Sequence, residues 1–254
     1  GEGLQHQDGH SHLFASTIPN IKAYDPSFSY EIAIIIQYGL KDMYQWQNNV
    51  FYYITLENEN YIHPELPDYS IKEGIIKGLY CLKKQDKSKN IKVQLLASGS
   101  MVNEIYKAAD VLKNDWKIDS LLWSVTSYSE LHKDAEDINR WNNLNPDKKN
   151  KISYLDQNIL VENGPVIAIS DYVKLVAEQI SPYINCPFLS LGTDGFGRSE
   201  TREHLRDFFE VSSHYIVLST LNLLVKENIL SKNVLQKAIK MYNIDTSKPN
   251  PKSI

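Results

Sequence analysis

The 254-residue sequence is 42% hydrophobic and 23% charged, with a formal net charge of −4 at pH 7. This balance is typical of a globular protein with a sizeable core in one or two domains, and it argues against nucleic acid or a membrane as a partner. The hydropathy pattern predicts no membrane-spanning segment and no signal peptide, and two cysteines form no disulfide framework, so we expect a cytoplasmic protein.

The opening segment, residues 1–12 (GEGLQHQDGHSH), contains three of the 7 histidines together with Glu2 and Asp8. No hydrophobic periodicity runs through it, so we predict a loop. The chain begins inside this polar loop and without a methionine. We therefore interpret the sequence as the C-terminal part of a longer protein.

The next 70 residues show the patterns of two strands and two helices. We predict strands over residues 18–24 and 50–55 from their β-branched and aromatic content, and helices over residues 27–45 and 71–82 from apolar spacing. Asp25 followed by Pro26 is typical of a helix start, so we predict Asp25 as the N-cap of the first of these helices. The prolines at 64 and 67 suggest the beginning of a linker.

A lysine-rich run, residues 83–92, is the predicted domain boundary because it is polar almost throughout. After it, strand and helix patterns alternate, which predicts an α/β fold with a mostly parallel sheet. Asp171 is the predicted cap of the helix over residues 172–180. The predicted strands are 93–97, 119–126, 165–170 and 188–192, and the other helices are 101–114, 128–133, 137–141, 201–209, 215–228 and 233–242.

The opening segment allows three interpretations of its chemistry. His6, His10, His12 and Asp8 could bind a metal ion, since imidazole and carboxylate are suitable ligands, although their spacing fits no known motif. The polar side chains could instead only hold a turn. The third interpretation is an active-site loop, in which groups that titrate near neutral pH move protons.

A second glycine-rich segment, residues 191–199 (LGTDGFGRS), lies between a predicted strand and a predicted helix. Its glycines do not follow the order of a dinucleotide-binding or a phosphate-binding loop. We interpret it as a structural turn, with Arg198 and Ser199 shaping the start of the helix.

Four segments together resemble one enzyme family: GEGLQHQDGHSH at 1–12, YDPSFSYE at 24–31, ENENY at 57–61 and LGTDGFGRS at 191–199. They are similar to the homodimeric bacterial type of pyruvate dehydrogenase, the thiamine diphosphate-dependent component of the pyruvate dehydrogenase complex. The resemblance covers nearly the whole chain. More distantly, the Asp-Gly-x-x-His pattern at 8–12 is similar to the matching loop of transketolases.

The resemblance implies two domains in this chain. Residues 1–85 would be the C-terminal part of a pyrimidine-binding domain with its linker, and residues 86–254 a transketolase C-terminal-like α/β domain. The family binds thiamine diphosphate through Mg²⁺ with a Gly-Asp-Gly…Asn-Asn motif, which is not found in this sequence. The residues that bind the cofactor and the metal are therefore expected upstream of residue 1.

The resemblance also implies roles for the opening segment. His6 would face pyruvate and serve in substrate orientation and proton transfer, with Glu2 supporting it. Asp8, His10 and His12 remain further candidates for substrate contact, and the transketolase comparison favours His12. The implied partners are a second copy of the chain and a dihydrolipoyl acetyltransferase with its lipoyl domain. The alternatives are a transketolase-like enzyme acting on sugar phosphates, and a non-catalytic dimerisation or docking module.

Overall fold

Two β-sheets, one of two strands and one of five, organise the residues that this computed structural model describes, 6–84 and 91–254. The strands are β1 (Ile21–Tyr24), β2 (Phe51–Ile54), β3 (Tyr80–Lys83), β4 (Lys92–Ala97), β5 (Asp119–Ser124), β6 (Val166–Ile169) and β7 (Phe188–Leu191). The helices are α1 (Ser11–Ser16), α2 (Ser29–Leu40), α3 (Lys72–Lys77), α4 (Met101–Trp116), α5 (Tyr128–Leu144), α6 (Tyr154–Asn158), α7 (Leu175–Glu178), α8 (Arg202–Phe208), α9 (Ser213–Lys226) and α10 (Asn233–Met241).

The smaller sheet pairs β1 with β2 in parallel, and α2 connects them. The helix predicted over residues 27–45 is confirmed in part, because α2 ends at Leu40 and continues as a π-helical turn, Lys41–Gln45.

The prediction that Asp25 caps this helix is wrong. The N-cap position is Phe28, whose N–H donates to the Glu31 carboxylate at 3.0 Å. Asp25 is buried and bonded to the larger sheet instead.

The larger sheet has the strand order β3-β5-β4-β6-β7, with β3 antiparallel and the other four strands parallel. Apart from Lys92, every residue of strands β4, β5 and β6 is buried, as is typical of parallel strands between helices. Helices α4 and α9 pack on one face, and α5 and α7 on the other. The predicted α/β fold with a mostly parallel sheet is confirmed.

The predicted helix over residues 71–82 is wrong in its second half. Helix α3 ends at Gly78, which has φ of +102°, a conformation that only glycine adopts without strain. A side chain there would also meet the Ser127 carbonyl oxygen at 2.4 Å. The chain then forms β3, which pairs with β5 of the larger sheet. The division of the domains at residues 85 and 86 stays a prediction, and β3 lies on its N-terminal side.

Three further local predictions differ from the structure. The two helices predicted over 128–133 and 137–141 form one continuous helix, α5, and α6 has no predicted counterpart. The helix predicted over 172–180 is shortened to α7, which has Lys174 rather than Asp171 at its N-cap. The opening segment is not entirely a loop, because α1 begins at Ser11 and includes His12.

One segment, Arg202–Lys226, is long and apolar enough by length and composition to cross a membrane, in contrast to the sequence prediction. The backbone divides it into α8 and α9, with Glu210 at φ of +62° between them. Ile216, Leu221 and Leu224 of α9 are fully buried in the core beside α4. The segment is therefore accounted for as part of the packed core.

Candidate active site

A cleft of about 710 Å³ opens where the parallel strands of the larger sheet end. Its walls are the opening segment, the turn that follows β7 and helix α8. Carboxyl ends of parallel strands are the usual place for ligands in open α/β sheets. The residues that line it are His6, Gln7, Asp8, Gly9, His10, Asn58, Asp171, Thr193, Gly195, Phe196, Gly197, Arg198, Ser199, Glu200, Thr201, Arg202, Leu205, Arg206, Phe209 and Val211.

The opening segment is held against the ends of β6 and β7 by backbone contacts. The Val173 N–H donates to the Gly9 carbonyl at 3.0 Å. Gly197 lies so close to Gln7 that a side chain at Gly197 would meet the Gln7 Cβ atom at 2.1 Å. The two glycine-bearing segments that the sequence singled out therefore form opposite sides of one cleft.

Asp8 organises the turn into α1. Its Oδ1 accepts the N–H groups of His10 and Ser11, both at 3.0 Å, and its Oδ2 accepts the Ser11 hydroxyl. Burial acts to raise the pKa of Asp8, but these hydrogen bonds lower it overall. Asp8 lines the cleft as an ionised group with a structural task, in agreement with the turn interpretation.

The three histidines of the opening segment occupy two different environments. His6 and His10 are exposed and line the cleft. His12 is 6% exposed and lies on α1 between the rings of Tyr53 and Tyr172, with ring centroids 5.5 and 4.7 Å away. Glu2 lies outside the described residues. Of the predicted site residues, the structure thus places His6, Asp8 and His10 together, and His12 apart from them.

His12 is the first member of a chain of hydrogen bonds that crosses to the larger sheet. Its Nε2 lies 3.0 Å from the Thr55 hydroxyl, which donates to Asp25 Oδ1 at 2.8 Å. The Ser98 hydroxyl donates to Asp25 Oδ2 at 2.7 Å. Because the Thr55 hydroxyl donates its proton to Asp25, Nε2 of His12 is the donor of the first bond. Burial lowers the pKa of His12 to about 4.

The buried imidazole of His12 makes the fold sensitive to acid. Its pKa falls from 6.5 to about 4 on folding, so only the unfolded state takes up a proton between these values. The free energy of unfolding therefore keeps its full value above about pH 6.5 and decreases as the pH falls towards 4. Between pH 7 and pH 5 the loss is about 2 kcal/mol. Substitution His12→Gln should remove this loss, as measured by urea unfolding of the full-length protein at both pH values.

The control for this experiment is His10→Gln, which removes an exposed imidazole from the same segment. It should unfold with the pH dependence of the wild type. If His12→Gln also retains the full wild-type loss between pH 7 and pH 5, the buried ring is not the source of the acid sensitivity.

The carboxylates of Asp25, which is buried, and Glu57, which is partly buried, approach each other beside the cleft. Asp25 and Glu57 both approach Gly99, where an added Cβ atom would lie 2.9 Å from Asp25 Oδ2 and 2.4 Å from Glu57 Oε1. The Ser100 N–H donates to Glu57 Oε1 at 2.7 Å. Burial raises the pKa of both groups, and the charge of Asp25 raises that of Glu57 further. Glycine at position 99 thus permits this close approach.

Arg206 is the cation next to these carboxylates. Its guanidinium forms a bidentate pair with the Glu59 carboxylate, with Nη2 donating to Oε2 at 2.5 Å and Nη1 to Oε1 at 3.3 Å. Nη1 also lies 3.5 Å from Glu104 Oε1. Its side chain is only 12% exposed. This pair joins the segment after β2 to helix α8 and so fixes one wall of the cleft.

The other two arginines of the cleft also have partners. Arg202 donates to the Asn58 side chain at 2.6 Å and lies 3.6 Å from Glu59. Arg198 donates to the carbonyl groups of Phe196, Gly197 and Ile254. The structural role predicted for Arg198 agrees with these contacts.

Within residues 6–84 and 91–254, no group of three or more His, Cys, Asp or Glu side chains is placed to hold a metal ion. His6, His10 and His12 therefore do not form a metal site among the described residues. Nor do the described residues include such a group for the Mg²⁺ that the resemblance implies.

Asp25, Glu57, Asp171 and Arg206 are the functional candidates that sequence reasoning missed. The sequence contains a usable signal for Asp171 and for the turn that contacts Asp25 and Glu57, because both follow predicted strands. Asp171 and the Ser98-Gly99-Ser100 turn each follow a strand that was correctly predicted, at its carboxyl end. Glu57 begins the ENENY segment that carries the family resemblance, but neither it nor Arg206 has a local pattern that indicates its place in the cleft.

The fold and the cleft define the class of protein. An α/β domain with one antiparallel edge strand follows a parallel β-α-β unit, and the cleft lies where the parallel strands end. Residues 78–212, more than half of the chain, match the transketolase-like C-terminal domain family, and the chain belongs to that family. Residues 1–64 match the middle domain of the pyruvate dehydrogenase E1 component.

Individual relatives agree with these matches. The chain is 49% identical over 254 residues to the pyruvate dehydrogenase E1 component of Buchnera aphidicola, and 48% identical over 252 residues to that of Pseudomonas aeruginosa. Each match covers 99% of this chain but 28% of the relative's length. The transketolase from Leishmania mexicana has a similar structure, with a TM-score of 0.63 at 19% identity over 88% of this chain and 28% of its own. At that identity the likeness concerns the fold alone.

Proposed function

We propose that this chain is the C-terminal part of an enzyme that decarboxylates pyruvate and transfers the acetyl group to the lipoyl arm of a dihydrolipoyl acetyltransferase. The similarity over 99% of the chain to pyruvate dehydrogenase E1 components carries this proposal. The chain spans about 28% of those relatives, so the activity belongs to a longer protein. We further propose that this protein is a cytoplasmic homodimer.

The cofactors of this enzyme are thiamine diphosphate and Mg²⁺, bound by residues outside the described ones. When bound, thiamine diphosphate supplies the electron sink for decarboxylation. The part played by this chain is to bind and orient the substrate. His6 lines the cleft as an exposed imidazole and would contact the substrate carboxylate and move a proton to or from it. Glu2 would tune His6.

Sugar phosphates are less suitable substrates for this cleft. A phosphate group is commonly bound by arginine side chains with free N–H groups. Arg198, Arg202 and Arg206 line the cleft, but each donates to protein acceptors. This arrangement favours pyruvate over the transketolase-like alternative.

The test uses full-length protein with thiamine diphosphate and Mg²⁺. We expect pyruvate-dependent acetylation of an added lipoyl domain, detected by mass spectrometry, and no transfer from a ketose phosphate to an aldose acceptor. The opposite pattern would favour a transketolase-like enzyme. Absence of both activities would leave the dimerisation or docking module as the better account.

A polypeptide of residues 1–254 alone should not decarboxylate pyruvate, because its described residues include no metal-binding group. The measurement is carbon dioxide release with saturating thiamine diphosphate and Mg²⁺. Activity in this polypeptide would contradict the proposed location of the cofactor site.

A further inference from the structure

Asp171 lies where a ligand in the cleft would meet the larger sheet. It follows β6 at its carboxyl end and lines the cleft together with His6 and Arg206. Its backbone is fixed, because the Thr193 hydroxyl donates to the Asp171 carbonyl at 2.8 Å and the neighbouring Tyr172 accepts from the Thr193 N–H at 2.9 Å. The side chain is therefore presented from a rigid part of the fold.

The charges that face Asp171 are mainly negative. Glu57 and Glu59 face it from the segment after β2, Asp25 from the end of β1, and Arg206 from α8. Arg206 already pairs with Glu59. Burial, with Glu57 as the next cause, raises the pKa of Asp171 to about 8. Carboxylates crowded in this way cannot all be ionised, so some of them hold protons at neutral pH.

Hydrogen bonds indicate which carboxyl group holds a proton. Asp25 accepts two hydroxyl groups, Glu57 accepts a backbone N–H, and Glu59 accepts the Arg206 guanidinium. These bonds favour the ionised forms. Among the described residues, no donor contacts the Asp171 carboxyl oxygens. Protonation is therefore least costly at Asp171, which lines the cleft and so can donate to a ligand there.

We propose that Asp171 holds a proton at neutral pH and donates it in a hydrogen bond to an oxygen of the keto-acid substrate in the cleft. This inference rests on the proposed function for the identity of the substrate. A neutral carboxyl group also avoids the repulsion that an ionised one would exert on an anionic substrate. Asp171 would then help His6 to position the substrate, since both residues line the cleft.

The test compares two variants of the full-length holoenzyme. Asp171→Asn keeps a neutral donor of the same shape, and kcat/KM for pyruvate at pH 7 should stay within about threefold of wild type. Asp171→Leu has a similar size without a donor, and kcat/KM should fall about 10- to 100-fold, mainly through KM. Equal KM values in the two variants would overturn the proposal.

The pH profile adds a test that a merely structural role would not pass. Because the proton of Asp171 is lost above a pKa of about 8, wild-type kcat/KM should fall in that range, and Asp171→Asn should not show this fall. Glu57→Gln removes a neighbouring negative charge, so the fall should move to lower pH. An unchanged alkaline fall in Asp171→Asn would contradict the assignment.

Infrared difference spectroscopy tests the proton without any assay of activity. The wild type at pH 7 should show a protonated carboxyl band that is missing in Asp171→Asn and disappears at high pH. If no band depends on Asp171, the proposal fails even where pyruvate is the substrate. If the band is present but pyruvate is not turned over, only the proposed function fails.

Discussion

Replacement of His6 by alanine in the full-length protein is expected to lower kcat/KM for pyruvate-dependent acetyl transfer by about 10²- to 10⁴-fold, the usual contribution of one well-placed acid–base group. His6 is exposed and lines the cleft, so its side chain can reach a bound molecule without a change of fold. The loss should therefore appear in kcat and kcat/KM while thermal unfolding stays unchanged. Steady-state kinetics with a lipoyl domain as acceptor measures it.

A matched control is available in the same part of the molecule. His204 lies on α8 with a side chain that is 72% exposed, and it does not line the cleft. His204→Ala should keep the wild-type rate. Wild-type kinetics in His6→Ala, or an equal loss in His204→Ala, would remove His6 from the proposed role.

The four parallel strands of the larger sheet could be predicted from the sequence because each contains a short apolar run. Their apolar content predicts strands over residues 93–97 and 165–170, and β4 and β6 occupy Lys92–Ala97 and Val166–Ile169. Such runs must be buried on both faces, so their hydrophobicity alone indicates a parallel sheet with helices on either side. The similarity to transketolase structures agrees with this interpretation.

Strand β3 cannot be predicted locally because the residues around it follow a helical pattern. Isoleucines at 71, 75 and 76 and leucines at 79 and 82 follow helical spacing. Gly78 interrupts this pattern with a left-handed conformation, and pairing with β5 then decides the structure of the following residues. A single glycine and a distant strand thus outweighed the local periodicity.

The position of Asp25 shows a similar conflict between local and tertiary contacts. Aspartate followed by proline is a good helix start, but three groups of the larger sheet compete for this residue. The Asp25 N–H donates to the Thr126 carbonyl at 2.8 Å, the Gly99 N–H donates to the Asp25 carbonyl at 3.1 Å, and Ser98 donates to its carboxylate. None of these partners is near in the sequence.

The candidate site was predictable where residues are close in sequence and not where folding collects them. His6, Asp8 and His10 lie within five residues and line one cleft. Asp25 approaches Glu57, and Arg206 pairs with Glu59, only because the segments after β1 and β2 pack against the larger sheet and α8. Sequence spacing carries no information about such a meeting.

Glu31 is expected to make the largest contribution to stability of the buried charged groups between the two sheets. It is 0% exposed, and its Oε1 accepts the hydroxyls of Tyr80 at 2.5 Å and Ser124 at 2.7 Å. Its Oε2 accepts the N–H groups of Ser27 and Phe28. The carboxylate thus joins the start of α2 to strands β3 and β5. Burial raises the pKa of Glu31, and these four hydrogen bonds act in the opposite direction.

Substitution Glu31→Ala should reduce the free energy of unfolding by about 3–5 kcal/mol, because two hydroxyl and two backbone donors lose their acceptor in a buried place. Glu31→Gln keeps the shape but turns an NH₂ group towards one of the two pairs of donors, so an intermediate loss of about 1–3 kcal/mol is expected. Urea unfolding of the full-length protein measures both, with the change in midpoint at constant slope.

Glu73→Gln is the control for the loss of a charge, since Glu73 is exposed and its carboxylate pairs with Lys77 one turn later on α3, at 2.8 Å. Its urea midpoint should equal that of the wild type.

Tyr80→Phe removes one of the four donors to Glu31. Combined with Glu31→Ala, it should reduce the free energy of unfolding by less than the sum of the two single changes, because both act on the same hydrogen bond. Strict additivity, or a wild-type midpoint in Glu31→Ala, would show that the carboxylate does not hold the two sheets together.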